Sequence, residues 1–139
     1  MLTAEIVDAI GGLTAHVKTY AATLPSIVHL TVVPYGVKPT TEAADNYEGI
    51  VSRTQHQSAG TPYKALNESL ICSLEAFEQG NLIGTVQALL AVIDHLERMH
   101  RDQEIEVRRQ DEKRLAEYRV ALRKVLPGNK PELEETGGS

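Results

Sequence analysis

Glu97 and His100 are the two residues whose types and spacing come nearest to a catalytic metal site. A Glu-x-x-His pair on one helix is the ligand spacing of di-iron carboxylate proteins, which also need carboxylates from neighbouring helices. A helical hairpin folded about Gly80 would instead place Lys64 opposite Glu97. His95 and His100 are five residues apart, so they point in divergent directions on a helix. The sequence therefore predicts neither a metal site nor a cofactor.

The alternative interpretation of this segment is a charged, solvent-exposed helix. Acid-then-base pairs four residues apart recur along it, namely Asp94 with Arg98, Glu97 with Arg101 and Glu104 with Arg108. Each such pair stabilises an exposed helix by about 0.2–0.5 kcal/mol. Residues 103–114 carry almost no apolar stripe, so we predict a charged spacer in the segment 82–126, which is one long helix if it continues to Leu126.

Beyond the spacer, apolar residues return at helical spacing. They are separated by three, four and three residues, and they are Leu115, Tyr118, Leu122 and Val125. This seam covers two heptads at most, which is too short to form a stable coiled coil alone. An exposed apolar seam needs cover, so we predict that it is a contact with a second copy of the chain or with another partner.

A second predicted contact surface consists of small side chains on the helix over 62–80. Steps of four, three and four residues place them on one face, and they are Ala65, Ser69, Cys72 and Ala76. Small residues at this spacing allow helix backbones to approach closely. Cys72 is the only cysteine, so it forms no disulfide within the chain, and we predict that it is a buried small residue.

The charged residues are distributed unevenly along the chain. Residues 98–124 contain nine Lys or Arg and six Asp or Glu, whereas the whole chain has a net charge of −5. The candidate anion-binding residues are Arg108, Arg109, Arg114, Arg119 and Arg123. Acids interrupt this basic segment and Tyr118 is its only aromatic residue, so binding to nucleic acid is disfavoured.

The fold class follows from apolar periodicity. Residues 1–24 predict an N-terminal helix with an apolar stripe, in which the Gly11-Gly12 pair is unfavourable and needs a compensating contact. Thr61-Pro62 begins a helix that ends at Gly80, and the short Gly80-Asn81 turn predicts an antiparallel hairpin of 62–80 with 82–126. The prediction is a mainly α helical bundle.

Two further segments complete the predicted organisation. The β-branched run over 27–33 predicts one short extended or β segment. This segment either pairs with a strand of another chain or lies unpaired across helices. Residues 1–126 form one helical domain in which 102–126 either projects or bends back, and 127–139 form a tail.

The functional prediction is a non-enzymatic, homo-oligomeric helical protein that acts through protein–protein contacts. An assembly subunit or a phage or bacterial accessory factor would fit, and binding of a small anionic ligand or nucleic acid is the alternative. An enzyme would use a pocket around His29, Tyr35, Tyr47 and His56, where loops and polar aromatic residues concentrate, and the competing interpretation is that these tyrosines pack at the boundary of the core. No apolar run reaches the length of a membrane span, and the N-terminus lacks the basic start of a signal peptide, so the expected location is cytoplasmic.

Overall fold

The computed structural model describes residues 1–24 and 38–126, which are mostly helical. The elements are α1 (Thr3–Ala22), α2 (Thr41–Ser58), a 3-10 helix (Pro62–Leu66), α3 (Asn67–Glu78), α4 (Leu82–Arg101) and α5 (Arg109–Lys124). No strand occurs in the described ranges, and the predicted mainly α helical bundle is confirmed. The extended segment predicted at 27–33 and the tail predicted at 127–139 lie outside the described residues.

The predicted hairpin is formed by α3 and α4, and local hydrogen bonds at the turn explain it. Gly80 has a φ of 76°, a left-handed conformation that glycine adopts without strain. The N–H of Asn81 donates to the carbonyl of Ala76 at 2.8 Å, which closes α3. The Asn81 side chain then accepts from the N–H of Gly84 at 2.9 Å and caps α4.

The segment 82–126 forms two helices and not one continuous helix, because α4 ends at Arg101 and α5 begins at Arg109. Gln103 has a φ of 63°, and its N–H donates to the carbonyl of His100 at 3.0 Å. The N–H of Glu104 reaches the carbonyl of Met99 at 2.9 Å, which completes the hydrogen-bond pattern of a Schellman helix end. Ile105, just beyond it, is buried in the core. The chain therefore reverses here without glycine or proline, and α5 packs on α1 and α4.

Residue pairs give the direction of each helix in the bundle. His16 of α1 lies beside Tyr47 of α2 while Gly12 lies beside Ile50, so these two helices are antiparallel. Along α1, Asp8 contacts Arg114 and Gly11 contacts Tyr118, so α1 and α5 run in parallel. Successive helices thus alternate in direction, as in an up-and-down bundle.

The Gly11-Gly12 pair has the compensating contacts that the sequence requires. A Cβ on Gly11 would lie 2.5 Å from the hydroxyl oxygen of Tyr118, and one on Gly12 would lie 3.1 Å from Ile50 Cδ1. The missing side chains therefore let α5 and α2 approach the two sides of α1 closely. This packing offsets the roughly 1 kcal/mol per glycine that a helix interior loses relative to alanine.

Candidate functional site

The predicted 115–125 seam lies inside the bundle and not on its surface. Leu115 and Leu122 are buried in the hydrophobic core, while Tyr118 and Val125 are partly buried against it. Because the chain turns at 102–108, α1 and α4 of the same chain cover this seam. The single chain therefore covers Leu115 and Leu122 itself, and contact of this seam with another chain stays a prediction.

Arg114 connects α5 to α1 and is one of the five predicted anion-binding arginines. Its Nη2 forms an ion pair with Asp8, its Nη1 lies 3.3 Å from Oδ1 of Asp111, and its Nε donates to Tyr118 at 3.3 Å. The hydrogen bond to Asp8 is the main reason that the pKa of Arg114 is raised. A guanidinium held by these partners has little capacity left for an external anion.

Arg119 performs the same structural role between α5 and α4. Its side chain forms ion pairs with Asp94 and Glu97, each at 2.7 Å. Partial burial would lower the pKa of Arg119, but its hydrogen bonds to the two carboxylates outweigh burial and raise it. The predicted pairs of Asp94 with Arg98 and of Glu97 with Arg101 are thus replaced by contacts between helices.

The Glu-x-x-His motif takes part in the same contacts between helices. Glu97 is bound to Arg119, and Nδ1 of His100 lies 3.3 Å from a carboxylate oxygen of Glu112 on α5. Across residues 1–24 and 38–126, no three His, Cys, Asp or Glu side chains are grouped so that they could hold a metal ion. The motif therefore joins α4 to α5.

The two described residues of the predicted enzyme pocket, Tyr47 and His56, do not come together. Tyr47 is buried and stacks on Phe77 with ring centroids 4.4 Å apart, and its hydroxyl donates to Ser73 Oγ at 2.8 Å. His56 is exposed at the other end of α2. The other two residues of that prediction, His29 and Tyr35, lie outside the described residues.

Burial of Tyr47 leads to a pH-dependent prediction. Burial raises the pKa of its hydroxyl well above 10.0, so the folded protein keeps this proton where the unfolded chain releases it. Its contribution to stability is complete below pH 10 and falls above it, at up to about 1.4 kcal/mol per pH unit. Tyr47→Phe should make the free energy of unfolding decline less steeply, as measured by urea denaturation from pH 8 to 11.

Tyr20 sets the baseline for that experiment, because burial also raises its pKa and both proteins retain it. Loss of the hydrogen bond to Ser73 lowers the stability of the variant by about 1 kcal/mol at pH 8. Parallel alkaline curves for the two proteins would show that Tyr47 does not keep its proton.

The predicted small-residue surface on 62–80 is partly exposed to solvent. Ala65 and Cys72 are exposed, whereas Ser69 and Ala76 are partly buried. The prediction that Cys72 is buried is therefore wrong for the single chain. No described residue of the chain covers this surface fully, so it stays a candidate contact.

The exposed side of α3 is acidic, and we call it the acidic face. Its residues are Glu68, Ile71, Cys72, Glu75 and Glu78, all of which are exposed. At 100° per residue they occupy about one third of the helix circumference. Ile71, a large apolar side chain that is 37% exposed, lies between the carboxylates.

The exposed side of α5 is basic, and we call it the basic face. Its residues are Arg109, Lys113, Ala116, Val120 and Lys124, all of which are exposed. Val120 is 53% exposed at its centre. Glu112 and Glu117 lie at its two edges, and Glu112 is paired with His100.

The other three predicted anion-binding arginines differ from Arg114 and Arg119 because their side chains are exposed. Arg108, Arg109 and Arg123 all reach solvent on α5 or at its start. The sequence identified the basic segment but not its division into internal and external cations, since that division depends on which side of α5 meets α1 and α4.

Comparisons with known proteins supply no relative. The chain matches no protein-family model, no curated protein and no solved structure. In the part of the chain that the structure describes, no helix has both the length and the apolar composition needed to cross a membrane. The chemistry of the described surfaces is therefore the basis for a functional assignment.

Proposed function

We propose that this protein is a non-enzymatic, self-associating helical subunit, in which the acidic face of one copy binds the basic face of a second copy. The observation that carries the proposal is that one chain presents two exposed helix faces of opposite charge. Each face has an apolar centre, formed by Ile71 on α3 and by Val120 on α5. Such a subunit suits a phage or bacterial assembly in the cytoplasm, where Cys72 stays a thiol.

The two lysines of the basic face are spaced like the outermost carboxylates of the acidic face. From Glu68 to Glu78 is ten residues, or about 15 Å of helix, and from Lys113 to Lys124 is eleven residues, or about 16 Å, with Arg109 one turn beyond Lys113. Apolar or small residues occupy the middle of both spans. Laid side by side, the helices bring opposite charges together at both ends and apolar side chains together at the centre.

The positions of α3 and α5 favour contact between copies. α5 packs on α1 and α4, whereas α3 packs on α4 and α2. Two different surfaces of one chain that bind each other make a heterologous contact, which gives a ring when the rotation closes and a filament when it does not. One helix per copy buries less than the roughly 800 Å² per partner of a standard interface, so the association should be weak and sensitive to salt.

Reversing the charge of either face is expected to abolish self-association. The variants are Glu68→Lys/Glu75→Lys on the acidic face and Lys113→Glu/Lys124→Glu on the basic face. Light scattering on a sizing column, over a range of concentrations at low and high salt, measures molar mass. The wild-type protein should exceed the monomer mass of 15.2 kDa at low salt, while each variant alone stays monomeric.

Mixing the two variants provides the decisive control. In the mixture, each reversed face meets a face of opposite charge on the other variant, so masses above the monomer should return. Glu42→Lys/Glu48→Lys on α2 makes the same change in net charge at two other exposed residues and should leave association intact. A wild-type monomer at every concentration would contradict the proposal, and so would association that neither reversal affects.

The second candidate function is binding of a small anionic ligand or nucleic acid by the basic face. The exposure of Arg109, Lys113 and Lys124 on one side of α5 favours it. Arg114 and Arg119 are bound to carboxylates of neighbouring helices, so they do not extend this anion-binding surface. Retention on a heparin column that falls with salt and disappears in Lys113→Glu/Lys124→Glu would support this function, whereas absence of retention would exclude it.

A further inference from the structure

The reversal between α4 and α5 is built from residues that favour a helix. Residues 102–108 contain no glycine and no proline, and four of the seven are Gln, Glu or Arg, which rank among the better helix formers. Gln103 nevertheless has a φ of 63°, and it is the only non-glycine residue with a positive φ in the described ranges. A side chain other than glycine is strained in this conformation. Short hinge loops under strain favour exchange of the element that follows them between two copies of a chain.

The ion pairs between α4 and α5 define a register that such an exchange can keep. Arg119 pairs with Asp94 and with Glu97, and the sequence midpoints of both pairs fall within 106–108, in the reversal itself. Two copies that each have a straight helix over 82–124 can be related by a two-fold axis at this midpoint. The α5 of each copy then lies antiparallel along the α4 of the other, with the same residues opposite each other.

The helical phase also permits the exchange. From Asp94 and Glu97 to Arg119 is 25 and 22 residues, so on one continuous helix Arg119 lies within about 40° of both carboxylates around the axis. The side of α4 that faces α5 and the side of α5 that faces α4 therefore coincide on the continuous helix. Two such helices can contact each other along one side without a change of face.

Charged residues of the hinge complement each other across the same axis. Glu104 and Arg108 lie within about 20° of Glu97 around the continuous helix, and their sequence midpoint is position 106. Glu104 of each copy therefore meets Arg108 of the other. In the part of the chain that the structure describes, neither of these two side chains forms an ion pair. Ile105, which the single chain buries, lies within three residues of the midpoint and so close to the second copy.

We propose that α5 exchanges between two copies of the chain, which gives a two-fold dimer with one continuous helix over 82–124. The contacts of α5 with α1 and α4 are kept, but each is made with the other copy. The exchange relieves the strain at Gln103 in both copies, and Leu115 and Leu122 contact another chain in this dimer. The proposal does not rest on the proposed function, because the acidic and basic faces take no part in the exchange.

Two variants with reversed charges between α4 and α5 test the exchange. One carries Arg119→Glu and the other Asp94→Lys/Glu97→Lys, each in a Glu68→Lys/Glu75→Lys background that removes contact through the acidic face. Within either chain α5 now repels α4, whereas α5 and α4 of different variants attract each other. Refolded together from urea, with one chain isotope-labelled, they should form a mixed dimer of twice 15.2 kDa, as measured by native mass spectrometry.

Two glycine variants then separate the hinge from the rest of α5. Gln103→Gly in both chains should raise the dissociation constant of the mixed dimer by about 100-fold or more, because glycine adopts the left-handed conformation freely and disfavours the continuous helix. Ala116→Gly adds a glycine within α5, which is helical in both forms, and should leave that constant unchanged. A mixture that stays monomeric, chains that combine at random, or equal effects of the two glycines would overturn the proposal.

Discussion

Phe77→Ala is expected to lower the free energy of unfolding by about 3–5 kcal/mol. The Phe77 ring is 1% exposed and joins three helices, because it stacks on Tyr47 and meets the edge of Tyr20 with centroids 5.7 Å apart. Removing it leaves a cavity among rigid aromatic rings that cannot collapse easily. Urea denaturation of the variant and the wild type measures the change.

Ile71→Ala on the same helix is the matched control for that experiment. Ile71 lies on the acidic face and is 37% exposed, so its truncation should change stability by less than about 1 kcal/mol. A similar loss in both variants would contradict the position of the aromatic cluster at the centre of the bundle. The control has a second use, since Ile71→Ala should weaken self-association while the monomer stays folded.

Leu122→Ala is expected to cost about 2–5 kcal/mol of stability. Leu122 is fully buried, and it is one of the few large apolar residues that hold the otherwise polar α5 on the bundle. If residues 102–126 projected into solvent, the same substitution would change stability by no more than about 0.5 kcal/mol. Denaturation of this one variant therefore distinguishes the folded-back helix from a projecting one.

Val120→Ala provides the comparison within α5. Val120 is 53% exposed on the basic face, only two residues from Leu122, and its truncation should leave stability almost unchanged. Equal and small effects of the two substitutions would show that α5 is not docked. Because the basic face is displayed only when the opposite side of α5 is buried, Leu122→Ala should also weaken self-association.

The ion pairs of α5 determine its alignment more than its stability. Arg119 is bound by Asp94 and Glu97 on α4, and Arg114 is bound by Asp8 on α1. Ion pairs between partly exposed groups contribute little net free energy, but opposite charges that meet in only one alignment fix how the helices slide against each other. This alignment directs Arg109, Lys113 and Lys124 outward.

Local chemistry made several features predictable from the sequence alone. The Gly80-Asn81 turn was confirmed because a left-handed glycine and a capping asparagine act on residues within four positions of themselves. The stripe of α1 was confirmed because helical period alone decides which side is apolar. The basic character of residues 98–124 was also visible, since composition is independent of folding.

The end of α4 was decided by tertiary structure. Residues 102–108 contain no glycine or proline, and a glutamine in the left-handed conformation carries the turn. Gln103 adopts it because burying Ile105 and docking Leu115 and Leu122 on α1 and α4 outweigh the local cost of the conformation. That gain comes from residues distant in sequence, so helical periodicity could not reveal it.

The same long-range packing decided which residues are available for function. Arg114 and Asp8 are 106 residues apart, and no local pattern pairs them. Once α5 folds back, the apolar seam and two arginines turn inward, Asp111 becomes buried, and the remaining cations form the basic face. The sequence determined the helices and their charges. The tertiary structure determined which side of each helix faces solvent, because burial of apolar area depends on contacts between segments far apart in the chain.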